Sequence, residues 1–375
     1  MNPRERYLES LLFGHPDHVP LAPGGPREST LKAWHQQGLP EDIHHLDALS
    51  EMLGVPREAF DTTISVPQCL RMTPTFEEKV LAHKDGHYIV RDWMGAITEI
   101  SDTYDFTYIR SAKDFVTRKW HRFPVQNRDD WEDMAWRFNA SDEARFPEGF
   151  WARCRELERS GKAIIISVSG PFWQMREWMG MENLCIMMAE QPDFVTEMAE
   201  FWRRFTLEVL ETVFQRVRVD ALMPSEDMAY KGHSMISPDM ARRFLQPTYQ
   251  DWHRLARSYD CPLLDMDSDG YIGELIPIWI ESGFNCCNPI EIAAGNDLLT
   301  FRGWFGTRMA YHGGVDKRAI SAGGQAMRDQ VMHAVPQLIS EGGYIPRCDH
   351  GVPPDISWPN FIEYTRLLAE LTGWL

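Results

Sequence analysis

A chain of 375 residues, 43% hydrophobic and 25% charged, has the make-up of an ordinary globular protein, and its length suits two average domains or one barrel. Its formal charge of -17 argues against a phosphate-backbone partner, so nucleic acid is not an expected ligand. No apolar run approaches the roughly 20 residues of a membrane span, no cleavable signal is evident, and seven cysteines without a CxxC pair read as reduced thiols, which together place the chain in the cytoplasm.

The N-terminal "MNPRERYLESLLFGHPDH" reads as an amphipathic helix. Eight short apolar or β-branched runs follow, each closing in glycine, proline or polar residues and alternating with longer helical patterns. In chain order they are "HVPLAPGGP" (18–26), "AFDTTISVP" (59–67), "AIIISVSGPF" (163–172), "DALMPSED" (220–227), "CPLLDMDSDG" (261–270), "FNCCNPIE" (284–291), "RMAYHGGVD" (308–316) and "GYIPRCDHG" (343–351). Such alternation predicts a parallel sheet, and eight strands with crossover helices fit an α/β (β/α)8 TIM barrel better than a doubly wound sheet. Residues 68–162, between the second and third runs, are too long for a simple crossover and read as an insertion with its own structure. Within it "GHYIVRDWMGAITEIS" predicts a hairpin, and "DDWEDMAWRF" and "ARCRELERSG" predict helices. The insertion is expected to cover the barrel mouth or a subunit contact, within a single domain spanning 1–375. Further on, Ser237 and Pro238 open a helix as N-cap and first helical residue, and Gly283 stops another.

In a barrel the reacting groups come from the C-terminal ends of the strands, so polar residues after each run are the candidates. In the fifth run Asp265, Asp267 and Asp269 stand at alternate positions, which puts them on one side of a strand. Like charges so crowded raise one another's pKa unless a proton or cation relieves them. Zinc or another divalent metal is the economical relief, with Asp267 and Asp269 joined by Glu291 and His350 from the sixth and eighth strand ends. The same "DSDG" is also ordinary turn chemistry. Glu226, Asp227 and Asp269 are candidates to handle a proton or complete coordination. "HGGVDKR" offers His312 and Lys317 for an anionic group, although glycines there also suit a tight turn. Phe172 and Trp173, nearest the third strand end in a tryptophan- and methionine-rich run, are expected beside a small-molecule ligand, while the rest of that run reads as helix-face core.

"SPDMARRFLQPTYQ", "DGYIGELIPIWIESGFNCCNPIE", "HGGVDKRAI" and "HGVPPDISWPNF" resemble the uroporphyrinogen decarboxylase superfamily, most closely from about residue 163 onward. That resemblance implies a (β/α)8 barrel, frequent dimerisation, and one of two chemistries. The decarboxylase branch is metal-free and holds substrate carboxylates with an Arg-Gln-Ala-Gly-Arg signature; here "LAPGGPREST" stands in its place and Arg27 alone remains. The other branch holds zinc on His-x-Cys-Gly and Cys-Gly motifs and moves methyl groups to or from corrinoid proteins. Counting from the shared glycines, Asp267 takes the histidine position, Asp269 the first cysteine and His350 the last. Exchanging thiolates for oxygen ligands leaves a harder ion, suited to an oxygen atom on the substrate. The expectation is a metal-dependent methyltransferase acting on a small methylated, C–O bonded substrate, with a separate corrinoid protein as carrier. The alternative is a metal-free decarboxylase or lyase using Asp267 or Asp269 and Arg27.

Overall fold

The apolar runs form parallel strands because their alternate residues face two different layers. The structure, a computed structural model, describes residues 1–110, 114 and 116–375. Seven strands make one parallel sheet in chain order: β1 (Thr63–Ser65), β2 (Ala163–Ser169), β3 (Ala221–Ser225), β4 (Leu263–Asp267), β5 (Cys286–Asn288), β6 (Ala310–Val315) and β7 (Tyr344–Cys348). Helices connect β2 onward, as parallel neighbours require.

The sheet curls into a half-barrel, and its two faces bury different partners. Ile165, Ala221, Leu263, Cys286, Ala310 and Ile345 meet in one cluster inside the curl, where Tyr7, Leu8 and Leu11 of the N-terminal helix α1 (Pro3–Leu11) plug the end at which the strands begin. The intervening residues, among them Ile164, Leu222, Leu264, Cys287 and Tyr344, pack outward against the helices in the main core. Near-continuous apolar strands are the consequence of burial on both faces.

Run 18–26 is extended but is no strand of this sheet. It is tied by Leu21 N to Ala59 O (2.9 Å), by Cys348 N to Pro23 O (3.3 Å), and by one parallel bridge between Pro26 and Val352. Proline at positions 20, 23 and 26 removes the donors a regular ladder needs.

Between β1 and β2 the chain builds a four-stranded antiparallel sheet (Lys79–Lys84, His87–Arg91, Ile97–Ser101, Lys119–Arg122) and helices at Arg128–Ala135 and Phe150–Arg159. The hairpin read from "GHYIVRDWMGAITEIS" is the pair His87–Arg91 and Ile97–Ser101. Asp92 Oδ1 closes its turn by accepting from Met94 N and Ala96 N, both at 3.0 Å. Ser111, Ala112, Lys113 and Phe115 of the expected insertion lie outside the described residues. Among the described residues no helix is long and apolar enough to cross a membrane.

Candidate functional site

The residues inside the curl change character along each strand. Below, the inner positions are apolar; two residues further on they become Ser167, Asp265, His312 and Arg347, and then Ser169, Ser225, Asp267 and Asn288. Pairing of Ser225 with Ser169 and Asp267, and of Asp267 with Asn288, sets the last group in one ring. A cavity of about 600 Å³ opens above it. Asp227, Asp269 and His350 line it from the loops after β3, β4 and β7, and Trp173, Glu177 and Trp178 from helix α2 (Pro171–Met179). Leu70, Met72, Trp93 and Met94 of the insertion wall its outer side.

Carboxylates crowd the floor. Asp267 Oδ2 accepts from Ser225 Oγ at 2.7 Å, and burial, together with neighbouring Asp227, Asp269 and Asp265, pushes its carboxyl up to about 6. Burial and then Asp269 also raise Asp227, which sits in a left-handed backbone conformation (φ 41°) with its Oδ1 accepting from Asp269 N at 3.2 Å. Arg176 donates to the Asp227 carbonyl at 2.9 Å. Asp269 Oδ2 lies 3.3 Å from His350 Nε2 and raises the imidazole's pKa, while Arg27 Nη2 donates to Nδ1 at 3.3 Å. That arrangement directs the Nε2 hydrogen at Asp269.

Of the residues singled out from sequence, Asp227, Asp267, Asp269, Trp173 and His350 share the cavity, and Arg27 reaches it through His350. Glu226 does not. It is fully buried at the N-terminus of α2, where Oε2 accepts from Trp173 N at 2.9 Å and Oε1 from the Tyr249 hydroxyl, and burial lifts it to about 7 against those bonds. Phe172 points into the helix-side core. Glu291 pairs with Lys317 Nζ at 3.1 Å and accepts from Gly270 N at 3.2 Å, and neither Glu291 nor Lys317 lines the cavity. The four expected metal ligands thus divide: Asp267, Asp269 and His350 in the cavity, Glu291 in an ion pair outside it.

A different trio meets the spacing of a metal site. Asp265, Cys286 and His312 offer ligand atoms all within 4.8 Å of one another, inside the curl. His312 Nε2 lies 2.5 Å from Asp265 Oδ2, and Asn288 Nδ2 donates to Oδ1 at 3.0 Å. Burial alone would raise Asp265, but His312 and Asn288 hold it below its ordinary value. Burial and Asp265 together push the Cys286 thiol well up. None of the three lines the cavity.

Sequence reasoning passed over Arg347, Asn288, Ser225 and Glu177. Period-two counting from Ile345 points to Arg347 and from Cys286 to Asn288, so a signal existed for both. Trp93 and Met94 carry none, being brought over the mouth by a hairpin turn.

An open end of a curled α/β sheet, carrying a polar floor under aromatic walls, has the architecture of a small-molecule site. No protein-family model matches this sequence, and no curated protein is significantly similar to it. Among solved structures, a methyltransferase from Methanosarcina mazei is similar along the whole chain, with TM-score 0.59 and 14% identity over 100% of this chain and 98% of that one. At that identity the likeness establishes a shared fold. The galactosidase domain of an alpha-galactosidase–sucrose kinase aligns with 62% of this chain and 32% of its own at TM-score 0.34 and 9% identity, too slight to carry an argument.

Proposed function

We propose that the chain is a methyltransferase of the uroporphyrinogen decarboxylase-like kind, working in this cavity on a small substrate with a methyl–oxygen bond and using a separate corrinoid protein as methyl carrier. On this reading residues 1–375 form one barrel domain, with 18–26 in the place of the first strand. The observation that carries the proposal is the convergence of Asp227, Asp267, Asp269 and His350 on one cavity, in a fold shared end to end with a methyltransferase.

The donor types suit a hard divalent ion, although among the described residues it is Asp265, Cys286 and His312, not Asp267, Asp269 and His350, that already stand within ligand spacing. Three crowded carboxyls, one lifted to about 6, are what a cation would relieve, and His350 adds a nitrogen. Asp267, Asp269 and His350 would hold it. When bound, such an ion supplies Lewis acidity to an oxygen of the substrate. Ser225 fixes the rotamer of Asp267; His350 would ligate through Nε2 only after the hydrogen directed at Asp269 has left it, with Nδ1 then protonated and Arg27 turned away. Asp227, held by the Asp269 amide, is placed to exchange a proton with the oxygen that loses its methyl. Trp173 and Trp178 help exclude water. The deeper trio is less suited to catalysis, since a catalytic metal needs an open position facing substrate.

Elemental analysis of the purified protein tests the assignment. Expected is about one zinc or similar ion per chain, lost from D267A and H350A and retained by C286S. Loss from C286S alone would move the metal to the Asp265–Cys286–His312 trio. A metal-free wild type that still binds ligand favours the second reading, a decarboxylase or lyase, for which the cavity arginine Arg347 is the supporting observation.

A further inference from the structure

We propose that the substrate taken by this cavity carries a carboxylate, gripped by Arg347, on a flat apolar body. The proposal deepens the functional reading, resting on it only in taking this cavity as the substrate site.

Arg347 lies on β7, two residues beyond Ile345, which belongs to the inner apolar cluster; alternation therefore turns the guanidinium into the curl. Its register partner on β6 is Gly314, which leaves that flank free of a side chain. The side chain is half-buried and lines the cavity. Among the described residues it makes no hydrogen bond and no ion pair, although three aspartates line the same cavity. Each of those is engaged elsewhere: Asp267 by Ser225, Asp269 by His350, Asp227 by the Asp269 amide. Nearby arginines differ, Arg27 being spent on His350 and Arg176 on the Asp227 carbonyl.

A guanidinium partly withdrawn from water presents five donors in a planar fork, and a carboxylate matches that fork with two parallel bonds. Buried polar groups are normally satisfied, so a cation held ready in a cavity is a binding device. A second guanidinium without a side-chain partner among the described residues, Arg71 of the insertion, lines the same cavity from an exposed position and adds to its attraction for anions. Trp93, Phe138, Trp173 and Trp178 supply the aromatic walls that a planar body would pack against. About 600 Å³ is ample for an aromatic acid.

The test is a binding measurement, independent of metal content and methyl transfer. 4-Methoxybenzoate and its uncharged counterpart 4-methoxybenzamide are titrated into the wild-type chain and followed by calorimetry and tryptophan quenching. The acid is expected to bind about tenfold or more tightly than the amide, and R347Q to abolish that preference. R347K, which keeps the charge without the fork, should fall between the two and serves if R347Q fails to fold. Equal affinity for acid and amide, binding of neither, or an unchanged preference in R347Q and R347K would overturn the proposal. A preference for the acid lost in R347Q, in a chain that transfers no methyl group, leaves this inference standing while the functional reading falls.

Discussion

Glu226 shows how burial and hydrogen bonding compete at one residue. Its carboxyl is fully buried, which lifts it from the ordinary 4.5 to about 7, while the Tyr249 hydroxyl and the Trp173 amide pull the other way. Between those two pH values the folded chain holds a proton that the unfolded chain has released. Stability is therefore fully present below about 4.5 and is lost as pH rises through about 7, by about 3 kcal/mol at most. Glutamine cannot titrate, so urea unfolding of E226Q should lack this slope; parallel pH profiles for wild type and E226Q would show that Glu226 titrates normally. E226Q reports the slope alone, since its amide also changes the bonds to Tyr249 and Trp173 at every pH.

At the scale of the element, helix α2 is aimed by its first turn. Gly170 is its N-cap and Pro171 its first residue, and a Cβ at position 170 would lie 2.0 Å from Glu226 Cδ. Only glycine admits the carboxylate that caps the helix. G170A is expected to displace Glu226 or tilt α2, destabilising the fold by about 1–3 kcal/mol. Because α2 also carries Trp173, Glu177 and Trp178 to the cavity, the same variant should weaken binding of 4-methoxybenzoate. Denaturant midpoints and fluorescence titration read both effects, and a midpoint equal to wild type would contradict the close approach. The hairpin at 86–101 tells the complementary story. Its strands follow from alternation, yet that Trp93 and Met94 wall the cavity follows from where the whole insertion packs.

Across the whole molecule, a net charge of -17 sets a field that opposes an anionic ligand while Arg347 and Arg71 attract it locally. Raising ionic strength from about 10 mM to about 150 mM shortens the screening length from about 30 Å to about 8 Å and weakens the long-range repulsion first. Stopped-flow association of 4-methoxybenzoate should accordingly quicken by about twofold, and a slowing would show the local cations to dominate. Much of the architecture was legible in the chain. Seven of the eight apolar runs form the parallel strands, and Asp265 and Asp267 were readable as one face of β4, with Asp269 in the loop just beyond it, because side-chain periodicity is a local property. Run 18–26 looked like the others by composition, but its prolines and its tethers to both Ala59 and Cys348 settle its form. The division of labour among the acidic residues was not legible. Asp265 receives His312, Glu226 receives a helix end, Glu291 receives Lys317, and Asp267 keeps the company of other carboxylates. Sequence by itself determined seven of the strands, their alternating faces and the charge they carry to the mouth. Tertiary structure alone decided which of those charges are neutralised and which, like Arg347, are left facing the cavity, because partners 21 to 53 residues apart meet only when the sheet curls.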